Sequence, residues 1–212
     1  MSFDLAQFQQ PRFCPVSWNL GSWALLIVDM QNGTCGDDQI RIRPEFYQNF
    51  RRNTLPASMQ ALETARRYGL EIIHTVISNL TLDGRDRCLD YKRCGLGFPL
   101  GSHAAKVIKE LAPLEDELIL PKSSSSPFTS TTLDYLLRNM QISTLIIMGL
   151  LTDQCIDHTV KDAADRGYQV VCLVDACQSE SLELHQHALS CFQGYAALLS
   201  VEDFTDLLSF AQ

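Results

Sequence analysis

Three side chains able to take part in covalent catalysis follow apolar, strand-length runs of this sequence. Asp29 ends the run 23–28, Lys122 lies two residues beyond the run 118–120, and Cys155 closes the segment Gly-Leu-Leu-Thr-Asp-Gln-Cys that follows 144–148. Carboxyl ends of parallel strands meet at one edge of a sheet, and α/β proteins bind their ligands there. If these runs are parallel strands, Asp29, Lys122 and Cys155 lie close together.

An aspartate, a lysine and a cysteine suffice for acyl transfer to water through a thioester. A thiol becomes a strong nucleophile only as the thiolate, and both a helix N-terminus at Cys155 and the ammonium of Lys122 favour that anion. Asp29 can accept the thiol proton and return it to a leaving group. Taken singly, each residue is equally compatible with a structural role, namely a loop anchor, a solvated cation and a buried helix residue. The occurrence of all three together favours catalysis. We expect Cys155 to lie at an accessible helix start.

The pattern of elements predicts the sheet that this site needs. Apolar runs alternate with helical patterns, which is typical of a parallel α/β fold. We expect one α/β domain over 1–212, a three-layer doubly wound fold with a mainly parallel six-stranded sheet in the order 3-2-1-4-5-6. The expected strands are 23–28, 70–76, 118–120, 144–149, 169–174 and 196–199. The expected helices are 45–67 (restarted near Pro56), 104–111, 131–139, 153–166, 181–192 and 202–210.

Residues 77–103 are too long and too rich in glycine for an ordinary connection, which favours a functional loop. We interpret this segment as an active-site lid or an oligomer contact. Four cations occur within nine of its residues: Arg85, Arg87, Lys92 and Arg93. We expect Arg85, Arg87 and Arg93 to bind an acidic substrate, so that alanine at any of them weakens kcat/KM for such a substrate at least tenfold. Equally open is a solvated loop whose cations pair with Asp83, Asp86 and Asp90.

Composition limits the classes of partner. The chain has 212 residues, of which 46% are hydrophobic and 20% charged, with a net charge of −8. These values exclude a disordered chain and disfavour a nucleic-acid partner. We see neither an apolar run of membrane-spanning length nor a signal peptide at 1–15, and eight cysteines without a C-x-x-C pair fit a reduced protein. We therefore expect a cytoplasmic protein with no membrane partner.

Three motifs resemble the signatures of the isochorismatase-like cysteine hydrolases. They are Leu-Leu-Ile-Val-Asp-Met-Gln-Asn at 25–32, Leu-Pro-Lys at 120–122 and Gly-Leu-Leu-Thr-Asp-Gln-Cys-Ile at 149–156. This superfamily includes nicotinamidases, N-carbamoylsarcosine amidases, biuret hydrolases and ureidoacrylate amidohydrolases. The resemblance implies that Asp29 is the base, Lys122 the orienting cation and Cys155 the nucleophile. It also implies a cis peptide between Leu150 and Leu151, and an oxyanion hole formed by the backbone N–H groups of Leu151 and Cys155.

The sequence departs from the family pattern beside the lysine. Ser126, Phe128 and Thr131 keep the usual spacing, but Ser125 stands where an aromatic residue is common. We predict that Phe128 lines the pocket and that Gln31 also binds substrate. Nicotinamidases of this superfamily bind a metal through an Asp-x-His motif, which does not occur here, so we expect no metal and no cofactor.

The sequence thus predicts a cysteine amidohydrolase that cleaves a C–N bond of a small carboxamide, ureido or carbamoyl compound and assembles as a homodimer or homotetramer. Three alternatives remain open: an isochorismatase-type hydrolase of another small metabolite, a phosphoryl-transfer domain, and a non-catalytic binding scaffold. Phosphoryl transfer is disfavoured because Gln31 occupies the place of the second aspartate that such a site needs. His158 either pairs with Cys155 or faces the surface of its helix.

Overall fold

The structure, a computed structural model, describes residues 19–210. Its centre is a six-stranded sheet in the order β3-β2-β1-β4-β5-β6, and every neighbouring pair is parallel. The predicted strand order is therefore confirmed. The strands are β1 (Trp23–Val28), β2 (Glu71–Ile77), β3 (Leu118–Lys122), β4 (Thr144–Leu150), β5 (Gln169–Gln178) and β6 (Ala197–Leu199). Every residue of the two central strands, β1 and β4, is buried, as expected of a parallel sheet with helices on both faces.

Within residues 19–210, ten α-helices surround or cap this sheet. They are α1 (Asn32–Cys35), α2 (Gln39–Ile42), α3 (Pro44–Asn49), α4 (Leu55–Arg67), α5 (Leu89–Cys94), α6 (Pro127–Ser130), α7 (Leu133–Asn139), α8 (Asp157–Asp165), α9 (Leu182–Ser190) and α10 (Val201–Ser209). Two wider, π-type turns, Phe50–Thr54 and Thr152–Ile156, lead directly into α4 and α8. Helices α4 and α10 pack on each other and on β5, while α8 packs on β5 and α6. The reversal of strand order lies between β1 and β4.

The predicted helix at 104–111 is wrong. Two short 3-10 turns, His103–Ala105 and Lys109–Leu111, stand there instead. The chain between them runs extended across the end of β1, where the Ile108 N–H donates to the Met30 carbonyl and Val107 bridges to Gln31. These contacts use backbone groups that a helix would have bonded internally.

Several predicted boundaries also move. Lys122 is the last residue of β3 and pairs with Ile77, rather than lying beyond the strand. Strand β5 continues to Gln178 after an irregularity in its pairing with β4. The predicted helix 131–139 is preceded by a separate turn of helix, α6. The part of the one-domain prediction that covers 1–18 and 211–212, including the inference about 1–15, lies outside the described residues.

The segment 77–103, which we call the lid after one of its two predicted roles, is partly helical and lies against the sheet edge. Its helix α5 is bounded by Gly95, which has a left-handed φ of 71°. The Asn79 N–H donates to the Phe98 carbonyl and closes the lid on itself, while the Cys88 N–H donates to the Ser123 carbonyl just past β3. The lid therefore reaches the residues that follow Lys122. No helix within residues 19–210 is long and apolar enough to cross a membrane.

Candidate active site

Asp29 leaves the end of β1 in an unusual backbone conformation. Its φ is 58°, in the left-handed region that Asp and Asn tolerate better than most residues. The turn places the carboxylate inside the protein, with 1% of the residue exposed. Thr75 on β2 donates its hydroxyl to Asp29 Oδ1 at 2.9 Å. In neighbouring β4, a Cβ on Gly149 would lie 2.1 Å from the Val28 carbonyl, so glycine permits the close approach of the strands that carry this site.

Lys122, at the end of β3, is fully buried and lies at the centre of the cluster. Its Nζ is 2.8 Å from Asp29 Oδ2, 2.9 Å from the Ser124 carbonyl and 3.4 Å from Cys155 Sγ. Burial disfavours the ammonium, but the neighbouring Asp29, Cys155 and Tyr91, Asp29 foremost, together outweigh it and hold the pKa of Lys122 above its usual range. The site therefore contains a buried ion pair that contacts the cysteine.

Cys155 lies in the π-type turn between β4 and α8. The turn is closed by the Ile156 N–H, which donates to the Leu151 carbonyl at 3.1 Å. The expectation of an accessible cysteine is wrong, because only 5% of Cys155 is exposed. Burial raises the pKa of the thiol to about 11 against the opposing effect of Lys122. In this closed arrangement the thiol is protonated at neutral pH.

Tyr91, from lid helix α5, completes the cluster and was missed by the sequence reasoning. Its hydroxyl is 3.1 Å from Lys122 Nζ and 3.4 Å from Cys155 Sγ, and 3% of the residue is exposed. Burial raises the pKa of Tyr91, so the hydroxyl remains neutral. The signal was the segment 77–103, which we interpret from the sequence as an active-site lid or an oligomer contact. That prediction named arginines as substrate-binding residues and did not consider a tyrosine beside the cysteine.

Of the two residues predicted to form an oxyanion hole, Leu151 directly precedes the π-type turn and Cys155 lies within it. The peptide between Leu150 and Leu151 is cis, at the position that the family resemblance predicts. Within the described chain, the Leu151 N–H has no hydrogen-bond acceptor. The role of the Leu151 and Cys155 N–H groups as oxyanion donors stays a prediction.

Gln31 has no exposed surface, and its side-chain amide is hydrogen-bonded to backbone groups. Its Nε2 donates to the carbonyls of Ile77 and Ala104, and its Oε1 accepts from the Ile77 N–H. These bonds fasten the end of β1 to the two ends of the segment that contains the lid. A role in substrate binding stays a prediction.

Phe128 is buried in α6, where its ring is 5.9 Å from that of Tyr168 and lies under the Arg166 guanidinium. Both partners follow the C-terminal end of α8. No contact of Phe128 with Asp29, Lys122 or Cys155 is seen in residues 19–210. Its predicted place in the pocket stays untested.

The lid arginines take three different positions. Arg85 is exposed and pairs with Asp83 at 3.0 Å, as the alternative interpretation expects for that residue. Arg87 donates to the carbonyls of Gly84 and Leu96 and braces the lid internally. Arg93 is exposed on α5. None of the three contacts Asp29, Lys122 or Cys155 in the described chain, and their predicted binding of substrate stays untested.

Two histidines lie near the turn that carries Cys155. His158 is exposed, with Nδ1 3.0 Å from the Gln154 carbonyl, so it faces the helix surface instead of pairing with Cys155. His185 contacts Thr152, which begins the turn that carries Cys155. His185 also lines an open cleft of about 820 Å³. Residues 19–210 hold no group of three His, Cys, Asp or Glu side chains placed to bind a metal.

Comparison with known proteins identifies the class to which this fold and site belong. The family model of the isochorismatase domain matches residues 23–203. The chain belongs to the isochorismatase family, whose members are hydrolases.

Solved structures agree on the fold. A cysteine hydrolase from Pseudomonas syringae pv. phaseolicola 1448A is similar with a TM-score of 0.84 at 20% identity, over 97% of this chain and 100% of that one. An isochorismatase family protein from Desulfovibrio vulgaris subsp. vulgaris str. Hildenborough is 26% identical, with a TM-score of 0.76 over 89% and 98%. An N-carbamoylsarcosine amidase from Thermoplasma acidophilum is also 26% identical, with a TM-score of 0.69 over 85% and 97%.

Proposed function

We propose that this chain is a cysteine amidohydrolase that cleaves a C–N bond of a small carboxamide, ureido or carbamoyl compound through a thioester. One observation carries the proposal: a buried lysine contacts both a buried carboxylate, at 2.8 Å, and a buried thiol, at 3.4 Å. An ion pair without exposure is costly for stability. Its contact with a nucleophile at the ligand-binding edge of the sheet gives it a chemical use.

The first half-reaction forms the thioester. The Cys155 proton passes to the Asp29 carboxylate, and the thiolate, beside the Lys122 ammonium, attacks the carbonyl carbon of the substrate. The N–H groups of Leu151 and Cys155 stabilise the resulting oxyanion. When the C–N bond breaks, Asp29 gives its proton to the leaving nitrogen, which departs as ammonia or an amine.

The second half-reaction regenerates the enzyme. Asp29, again a carboxylate, accepts a proton from water, and the hydroxide attacks the thioester carbonyl. The C–S bond breaks and the sulfur recovers the proton from Asp29. The sum of both halves is amide plus water giving carboxylic acid plus amine, with no redox change and no net proton at the site.

Partners and pocket residues are part of the same proposal. The ligand is a small molecule, held in part by Gln31 and Phe128, with the exposed lid arginines, Arg85 and Arg93, selecting for acidic groups. The N-carbamoylsarcosine amidase among the similar structures supports the ureido class. The protein acts as a homodimer or homotetramer.

Cys155→Ala tests the proposal, with Cys191→Ala as the matched control because Cys191 is an exposed cysteine beyond α9. The wild type and the control are assayed for release of ammonia or amine from about fifty amides, ureas and carbamoyl compounds. Both should turn over the same substrates, whereas Cys155→Ala should be inactive. Acid-quenched wild type should carry the acyl mass on Cys155.

Three results would overturn the proposal. Turnover by Cys155→Ala at more than about a tenth of the wild-type rate would exclude the thioester. Hydrolysis of esters or vinyl ethers without cleavage of any C–N compound would favour the alternative hydrolase of the family. Failure of the wild type to cleave any compound of the set would favour a binding scaffold.

A further inference from the structure

The lid helix α5 buries one side chain selectively. Leu89, Asp90 and the three residues from Lys92 to Cys94 are all exposed, whereas only 3% of Tyr91 is exposed. A six-residue helix that buries one polar-tipped side chain gains little core by doing so. The destination of that side chain, the sulfur of the nucleophile and the ammonium beside it, therefore explains the arrangement better than packing does.

The hydrogen-bond inventory fixes the direction of the contact. A lysine ammonium has three donors and no acceptor, and a phenol has one donor. Lys122 therefore donates to the Tyr91 oxygen, and the Tyr91 proton needs a different acceptor. Cys155 Sγ, 3.4 Å away, is the acceptor within reach in the described chain. The resulting order is lysine N–H to tyrosine oxygen, then tyrosine O–H to sulfur.

Resting on the proposed function of Cys155, we propose that Tyr91 is a catalytic residue whose hydroxyl donates to the sulfur and stabilises the thiolate when the lid is closed. A hydrogen bond to a charged acceptor is stronger than one between neutral groups. The bond therefore favours the thiolate over the thiol. This bond lowers the pKa of Cys155, whereas burial raises it.

Tyr91 can donate to the sulfur only while the lid is closed over the site. Two bonds hold the lid beside the site: the Cys88 N–H to the Ser123 carbonyl at 2.9 Å, and the Ser123 hydroxyl to the Asp86 carbonyl at 3.1 Å. Both lie within five residues of Tyr91, and Ser123 directly follows Lys122. A substrate that reaches the sulfur must displace part of the lid, because only 5% of Cys155 is exposed. Reclosure over the substrate then restores the donor.

Tyr91→Phe removes the hydroxyl and keeps the bulk of the ring. The readout is the second-order rate of iodoacetamide alkylation of Cys155, measured by peptide mass between pH 7 and 9, which needs no knowledge of the substrate. We expect a rate about tenfold lower at each pH, equivalent to one pKa unit. Tyr135→Phe is the control, because Tyr135 is an exposed tyrosine on α7, and its rate should equal that of the wild type.

The direction of the change in alkylation rate shows whether Tyr91 acts as a hydrogen-bond donor or only blocks access to Cys155. Ser123→Ala removes one of the lid bonds and should speed alkylation by improving access. If Tyr91→Phe also speeds alkylation, the tyrosine only obstructs the site, and if it leaves the rate unchanged, the hydrogen bond stabilises nothing; either result overturns the inference. An active Cys155→Ala overturns the proposed function instead. Once a substrate is known, Tyr91→Phe should lower kcat about tenfold with KM within twofold.

Discussion

The buried pair of Asp29 and Lys122 should make Asp29→Asn costly for stability as well as for activity. Asparagine tolerates the left-handed φ of 58° and can still accept the Thr75 hydroxyl through Oδ1, so the substitution removes mainly the charge. The two side chains are 1% and 0% exposed. Breaking a buried pair by removing one partner costs about 3–5 kcal/mol, because the other charge is left uncompensated.

That loss is large compared with a total stability of about 5–15 kcal/mol. At roughly 2–4 °C per kcal/mol for a chain of this size, the melting temperature should fall by about 6–20 °C. The assay is urea unfolding at pH 7, followed by circular dichroism. Glu63→Gln is the matched control, because its pair with Arg67 has both side chains more than half exposed and is worth less than about 0.5 kcal/mol.

A double variant separates charge from shape. Asp29→Asn combined with Lys122→Met leaves no buried charge and should regain at least half of the lost stability, yet remain inactive. A loss below about 1 kcal/mol in Asp29→Asn would refute the claim that the ammonium is charged and uncompensated. A double variant no more stable than Asp29→Asn would show that the loss has another origin.

Three further predictions concern the metal, the lid and acid stability. Full activity should survive EDTA treatment in a steady-state assay, and a loss restored by zinc or iron would contradict the predicted metal independence. Arg85→Ala and Arg93→Ala should raise KM at least tenfold for acidic substrates but not for neutral amides. Arg87→Ala, which loses two bonds inside the lid, should affect both kinds of substrate alike. Equal small effects of all three substitutions would leave the lid without a role in substrate selection. Burial lowers the pKa of His74 to about 4, from 6.5 when unfolded, so the unfolded state binds the proton first and stability should fall as the pH drops from about 6.5 to 4. His74→Gln should flatten that part of a urea-unfolding series, and an unchanged slope would contradict the assignment.

The sheet and the meeting of Asp29, Lys122 and Cys155 could be predicted because both depend on local signals. A strand buried on both faces is a continuous apolar run, and parallel strands bring their carboxyl ends to one edge whatever lies between them. The sequence positions of the three residues, each at or just past the end of a run, were therefore enough. Lys122 closes β3 instead of following it, a shift of two residues that leaves its place at the edge unchanged.

The burial of the site and the role of the lid could not be predicted in this way. Whether Cys155 is exposed depends on how 77–103 folds back over β3, which rests on bonds such as that between the Cys88 N–H and the Ser123 carbonyl. Along α5, Leu89 and Tyr91 are both candidates for the inward side chain, and no periodicity in six residues separates them. The helix expected at 104–111 failed for a similar reason, because the need for backbone partners at the end of β1 outweighed local preference.

The charges of the cluster indicate which part of a substrate can enter it. In the closed structure the carboxylate and the ammonium compensate each other, and the thiol and Tyr91 are neutral. In the proposed mechanism, transfer of the Cys155 proton to Asp29 moves the negative charge from the carboxylate to the sulfur, and Lys122 contacts both positions, at 2.8 and 3.4 Å. The step therefore changes no net charge in a place where an uncompensated charge costs several kcal/mol. A substrate that placed its own charge at the reacting carbon would lose this balance, so the group that enters must be neutral, as an amide or a urea is. Under the proposed function, any acidic group of the substrate would then remain outside the cluster, and Arg85 and Arg93, which are exposed on the lid, are the residues that we propose to bind it.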